Sequence, residues 1–238
     1  MSYDNKLIAG RIKEISARAA EAALRAGRDP GDVRLMAVTK TVSPDAIEVA
    51  ILAGQTLFGE NYVNEARGKI SLLASRHPMV SWHLIGHLQT NKAGPAVGLF
   101  DCIETLDSIK LASVLDSKAR ASGRRLSVFI QVNIGEDVAK FGVPPGRLDE
   151  FLKGLAAFPH LAVSGLMTIT PWTDDPEDAR PWFRALRELR DKVSEEAGVF
   201  IKELSMGMSR DFETAIEEGA TIVRVGSAIF GPRDRLKI

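Results

Sequence analysis

RLMAVTKTVSPDAIEVAILAG, residues 34–54, changes its hydrophobic period part-way along. Its first third, RLMAVTK (34–40), is a short apolar run of strand type. Ser43 and Pro44 then open a helix that closes near Gly54. A serine side chain can accept from the first unpaired backbone N–H groups, and proline suits the first helical position. A buried strand running straight into a helix is the repeating unit of parallel α/β folds.

Working outward, the unit recurs. Upstream, Leu7, Ile8, Ile12, Ile15, Ala19 and Ala22 fall at three- and four-residue steps, so an extra helix precedes the first strand, ended by Gly27 and the turn Arg28-Asp29-Pro30-Gly31. Downstream, strands are expected at 56–59, 80–86, 101–105, 127–133, 162–167, 203–206 and 221–226. Helices are expected at 63–74, 91–97, 108–123, 145–156, 175–196 and 209–218. Eight strand–helix alternations without a Pro-, Gly- or Ser-rich linker predict α/β architecture: a single (β/α)8 barrel of TIM type over residues 1–238, with an N-terminal helix added. An open doubly wound sheet is the alternative. No GxGxxG follows a strand and no GxxxxGK[ST] occurs, which weighs against dinucleotide and P-loop sites.

Composition narrows the function. Lys plus Arg is 31 and Asp plus Glu is 31, with no long basic run, so no bulk positive charge draws nucleic acid. No stretch reaches the roughly 18 apolar residues of a membrane helix. The N-terminus MSYDNKLIAG lacks the basic start and apolar stretch of a signal peptide, and a cytoplasmic protein is expected. The lone Cys102, within LFDCI (99–103), forms no internal disulfide and reads as a small buried core residue.

In such a barrel the working residues sit at the C-terminal strand ends. The first strand ends at Lys40, where partial desolvation would lower the amine from its reference value of about 10.4 and free it for imine chemistry; a solvated or ion-paired lysine is the plain alternative. Gly207-Met208-Ser209 and Gly226-Ser227-Ala228 stand at the last two strand ends, where barrels often bind phosphate; each can also be an ordinary helix start. Arg224 shares a strand face with Gly226 and needs either a core carboxylate or a ligand nitrogen. An amine, a phosphate cradle and an arginine around one mouth suggest pyridoxal phosphate. His83 and His87 are four apart, but VSWHLIGHLQ reads as strand then turn rather than as a helical zinc pair, leaving His83 either as a site-lining or as a core histidine.

The segments AVTKTVS (37–43), FGENYVNEA (58–66), WHLIGHLQTNK (82–92), SGLMTI (164–169), LSMGMSRDFETAI (204–216) and VRVGSAIFGPR (223–233) resemble the pyridoxal-phosphate homeostasis proteins, the YggS/PROSC family, in order along the chain. That family is similar to the N-terminal domain of alanine racemase. The resemblance implies pyridoxal 5′-phosphate as cofactor and no metal. It places the covalent aldimine on Lys40 and Arg224 against the pyridine nitrogen. Ser209, Gly226 and Ser227 would hold the phosphate, and Asn61, His83 and Met206 would line the ring. Many relatives carry threonine at position 227 and two acidic residues after the phosphate serine, so Arg210 reads as a surface change. The implied function is buffering or delivery of the cofactor to apo enzymes by a monomer, with no substrate turnover. The alternative is a pyridoxal-phosphate-dependent amino-acid racemase of fold type III. Against that alternative, a permanently protonated arginine leaves the ring nitrogen unprotonated. In the racemases a tyrosine from a C-terminal β domain supplies the second acid–base group; the tyrosines here are Tyr3 and Tyr62, and no counterpart is expected from them. The role of Lys140, in the loop after the fifth strand, is left open by the sequence.

Overall fold

β1 (Arg34–Val38) pairs on one side with β2 (Leu57–Glu60) and on the other with β8 (Ile222–Val225), and this second pairing closes the sheet. Between them run β3 (Ser81–Leu84), β4 (Cys102–Leu106), β5 (Leu126–Gln131), β6 (Leu161–Met167) and β7 (Glu203–Met208). The order is sequential and every pairing parallel, which makes a closed eight-stranded barrel. The computed structural model describes residues 5–197 and 200–232. The first residues of the N-terminal stretch, Tyr3 among them, and Arg233 lie outside the described residues.

The helices follow the strands. They are α1 (Asn5–Arg25), α2 (Pro44–Leu52), α3 (Val63–Leu73), α4 (Ala93–Leu99), α5 (Ile109–Ala121), α6 (Leu148–Leu155), α7 (Arg180–Ala197), α8 (Phe212–Glu217) and α9 (Ser227–Phe230). The expected serine caps are present: Ser43 Oγ accepts from the Ala46 N–H at 3.3 Å and Ser108 Oγ from the Leu111 N–H at 3.3 Å. The extra helix α1 buries Ile8, Ile12, Ile15, Ala19 and Ala22, and packs against α8, α2 and α9. Its charged edge reaches α8 through Arg18–Glu213 at 2.7 Å and Arg25–Glu217 at 2.9 Å. Such exposed pairs add little, so the apolar stripe is what holds α1 in place.

The core has two layers. One lies between strands and helices and contains Phe58, Leu84, Ile103 and Met206. The other fills the barrel interior with Met36, Val38, Leu57, Ile85, Cys102, Phe129, Met167 and Ile222. Gly165 makes room there, because a Cβ would lie 2.7 Å from the Phe129 ring and 2.6 Å from the Glu203 carbonyl oxygen.

Several boundaries differ from the sequence reading, each for a local reason. β1 stops at Val38, not Lys40, because the chain turns: Thr41 takes φ +62°. β7 runs on to Met208 through a register shift, with Gly207 at φ +87°. A Cβ on Gly207 would sit 2.5 Å from the Ala215 Cβ, so only glycine fits this bulge. The following helix therefore opens at Phe212 rather than Ser209, after a turn over 209–211. α7 begins at Arg180, because the Asp175 carboxylate accepts from the Glu177 N–H and starts a 3-10 turn over Pro176–Ala179 instead.

Candidate functional site

At the C-terminal mouth of the barrel lies a cavity of about 420 Å³ whose wall includes Lys40, Asn61, Ser209, Arg224, Gly226 and Ser227. Strand alternation explains the convergence. Val38 and Arg224 face the interior, so Lys40 and Gly226, each two residues further on, open onto the same mouth. Lys40 is half-buried and Arg224 is buried.

Arg224 is fixed by a chain of hydrogen bonds through the barrel interior. Its Nη1 donates to Ser205 Oγ at 2.8 Å and its Nη2 to the Thr168 carbonyl at 2.7 Å. Ser205 Oγ donates in turn to Glu104 Oε2 at 2.6 Å, and His83 Nδ1 donates to Glu104 Oε1 at 2.7 Å. Burial presses the guanidinium of Arg224 downward, and the negative charges of Glu104 and Asp211 oppose it. Burial alone would raise Glu104, yet the His83 hydrogen bond and the nearby Arg224 hold its carboxyl below the ordinary value. Asp211, at the turn before α8, is raised by burial, although its Oδ1 accepts from the Met208 N–H at 2.5 Å.

Two residues expected on the wall stand elsewhere. Met206 is buried between β7 and the helices, because Ser205 takes the inward direction of that strand; its side chain cannot line the mouth. His83 lies deeper in the barrel, bound to Glu104, and is not among the cavity-lining residues. His87 parts from it altogether, stacking on Phe141 with ring centroids 3.6 Å apart. The two segments expected to bind phosphate do reach the cavity, but as the turn at 209–211 and the single-turn α9 rather than as starts of long helices. Ser209 Oγ accepts from the Gly226 N–H at 3.3 Å, joining them. Arg210 is exposed, yet it lines the rim with its guanidinium 5.0 Å from the Trp172 ring centroid. Lys140 donates to the Thr170 carbonyl at 2.9 Å and is not among the cavity-lining residues.

Glu104 escaped the sequence reading, although its signal was there: an acidic residue inside the strand DCIETL must find a buried partner. Gly86 shapes the wall by its lack of a side chain, since a Cβ there would fall 2.1 Å from the Asn61 carbonyl oxygen.

The donor set fits a phosphorylated aldehyde. Lys40 offers an amine, Arg224 a buried cation, and Ser209 and Ser227 hydroxyls beside backbone N–H groups. Asn61 adds an independent mark: its buried side-chain oxygen has no hydrogen-bond partner among the described residues, although Asn61 lines the cavity. Such atoms are few in folded proteins, and of the three among the described residues this one alone belongs to the cavity wall.

A parallel barrel with an amine and an arginine at its mouth defines a class, and comparison with known proteins specifies it. The family profile for the alanine racemase N-terminal domain matches residues 12–234. The pyridoxal phosphate homeostasis protein of Aquifex aeolicus (strain VF5) is 42% identical over 223 residues, 94% of this chain and 97% of its own. The solved structure of PipY from Synechococcus elongatus PCC7942, with PLP bound, is 37% identical and has a TM-score of 0.83, covering 94% of this chain and 100% of that one. Alanine racemase from Corynebacterium glutamicum shares the fold at 20% identity and TM-score 0.73, over 99% of this chain and 64% of its own. The chain belongs to the alanine racemase N-terminal domain family and, within it, to the pyridoxal phosphate homeostasis proteins.

Proposed function

We propose that this protein binds pyridoxal 5′-phosphate at the barrel mouth and buffers or delivers it to apo enzymes, without turning over a substrate of its own. The observation that carries the reading is the meeting of half-buried Lys40 and buried Arg224 on one cavity of about 420 Å³. The bound cofactor of PipY and the names of the curated relatives support the same ligand.

Pyridoxal phosphate supplies an aldehyde that an amine can capture and a pyridine ring that can spread negative charge. Lys40 is the amine at the cavity. Ser209, Ser227 and the backbone around Gly226 present donors suited to the phosphate. Arg224 keeps its proton, so it can only donate to a ring nitrogen and adds no charge to the ring. That disfavours the carbanion chemistry shared by racemases, transaminases and decarboxylases. Asn61 and the apolar wall around Ile85 and Val38 complete the pocket. A monomer as the working unit and a cytoplasmic site of action go with this reading. Among the described residues no helix is long and apolar enough to cross a membrane.

The test is to add pyridoxal 5′-phosphate to the purified protein, follow the visible band, fix the adduct with borohydride and locate it by peptide mass. The adduct is expected on Lys40; an adduct found only on Lys92 or Lys140 overturns the assignment. Amino-acid turnover on the order of 1 s⁻¹ or more would overturn the non-enzymatic reading in favour of a racemase or its kin.

A further inference from the structure

We propose that Lys69, acting with Glu65, is a positioning residue for Lys40: it clamps the backbone on both sides of that lysine in a strained turn. The inference rests on the reading of Lys40 as the cofactor amine.

Lys69 is the one lysine of α3 and a hydrophobic pattern would assign it to solvent, yet it is buried. All three of its ammonium protons are engaged. Nζ donates to the Thr39 carbonyl at 2.6 Å, to Glu60 Oε1 at 2.8 Å and to Glu65 Oε1 at 2.5 Å. Lys69 therefore has no donor to spare for a ligand. Its bonds lead to the turn instead. Thr39, the residue before Lys40, is held at its carbonyl by Lys69, and its hydroxyl donates to Glu60 Oε1 at 2.7 Å. Thr41, the residue after Lys40, has its N–H bound to Glu65 Oε1 at 2.5 Å, the oxygen that also accepts from Lys69.

The conformation so held is costly. Thr41 is β-branched and takes φ +62°, a region that such residues avoid. Backbone strain of this kind persists only where the surroundings over-determine it. An ion pair serving stability alone would have no need to grip both neighbours of one residue. The clamp fixes the Lys40 Cα, and hence the arc its amine can sweep over the cavity, before any ligand arrives. Preorganisation of this sort is worth large factors in rate, since small displacements of a reacting group are expensive.

The experiment uses the full chain and three changes: Lys69→Met, Glu65→Ala, and Glu65→Ala combined with Thr41→Gly. Two readouts are taken. One is the rate at which added pyridoxal 5′-phosphate forms the borohydride-fixable adduct on Lys40. The other needs no cofactor: competitive acetylation of the apo protein across a pH series, with peptide masses comparing Lys40 with the exposed Lys153. In Lys69→Met and in Glu65→Ala the adduct rate should fall at least about tenfold. The Lys40 acetylation rate relative to that of Lys153 should change from its wild-type value. Thr41→Gly should restore part of the loss in Glu65→Ala, because glycine adopts the turn without strain. Should Lys69→Met fail to fold, Glu65→Ala and its Thr41→Gly partner carry the test, since Glu65 is partly exposed. Folded Glu65→Ala protein with wild-type adduct rate and wild-type Lys40 profile overturns the proposal. So does a slowing that Thr41→Gly leaves untouched. Failure of the parent reading looks different: the wild-type protein itself would form no adduct on Lys40.

Discussion

Glu104 and Glu60 are both fully buried carboxyls within a few residues of the cavity, yet they are pushed in opposite directions. Glu104 stands inside the barrel on the Arg224 side, and both its oxygens are bonded, one from His83 and one from Ser205. Glu60 stands outside the sheet on the Lys40 side. Its Oε1 accepts from Thr39 and Lys69, and its Oε2 has no partner among the described residues. Burial raises Glu60 above its ordinary value, with Lys69 only partly offsetting it. Burial does not decide the charge state of an acid; the number and placement of its donors does. The Arg224 side is thus a fully bonded network, with Ser205 between Glu104 and Arg224, and the Lys40 side a half-satisfied clamp.

The comparison can be broken most sharply at its two centres. Lys40→Ala should abolish the borohydride-fixable adduct altogether while circular dichroism stays native; an adduct that survives would mean that the Lys40 side is not where the ligand is captured. Next in size is Glu104→Gln. Weakening the two hydrogen bonds that His83 and Ser205 make to this buried carboxylate, each worth about 1.5–3 kcal/mol to a charged acceptor, should cost about 3–5 kcal/mol near neutral pH, read by chemical denaturation. Because Glu104 is lowered in the folded state, its stabilisation is complete above the ordinary carboxylate value of about 4.3 and is lost as pH falls through the lowered one. The penalty of Glu104→Gln should therefore shrink in acid; a penalty that is flat with pH would contradict a carboxylate held ionised by its donors.

Ser209→Ala with Ser227→Ala should weaken retention of pyridoxal 5′-phosphate by at most about 1.5–3 kcal/mol for each hydroxyl, with backbone donors remaining. Equilibrium dialysis measures it, and unchanged retention would place the phosphate elsewhere. The smallest effect is expected for Glu60→Gln, under about 1 kcal/mol near neutral pH, since one oxygen of Glu60 already lacks a partner. Its sign with pH is opposite to that of Glu104. A raised carboxyl favours the protonated folded state, so wild-type stability relative to Glu60→Gln should decline as pH rises from the ordinary carboxylate range through the raised value. Parallel pH slopes for the two variants would erase the distinction between the two sides.

The barrel was legible because its signals are local. Each strand–helix unit announces itself by a change of period within some twenty residues, and caps such as Ser43 and Ser108 mark the joins. Strand-end position pointed to Lys40, Ser209, Arg224, Gly226 and Ser227, the resemblance added Asn61, and all six stand around one mouth. Met206 was misplaced because two facts compete in LSMGMS: Ser205 already takes the inward face, and the bulge at Gly207 breaks the alternation after it. Lys69 was invisible for another reason. A hydrophobic pattern counts lysine as polar and sends it to solvent, and only the three-dimensional meeting with Thr39, Glu60 and Glu65 shows otherwise. Residues that serve a site through the backbone of another residue leave no spacing for a sequence to reveal.

Gly86 shows the same point from the side of mutational tolerance. In a saturation library at that position every side chain, alanine included, would drive against the Asn61 carbonyl oxygen, 2.1 Å from where its Cβ must stand. The β2 and β3 ends would have to separate, and Asn61 would move with them. Position 86 should then score as intolerant as the cavity wall itself, although nothing on it could touch a ligand. Selection for binding would register there as a demand for empty space.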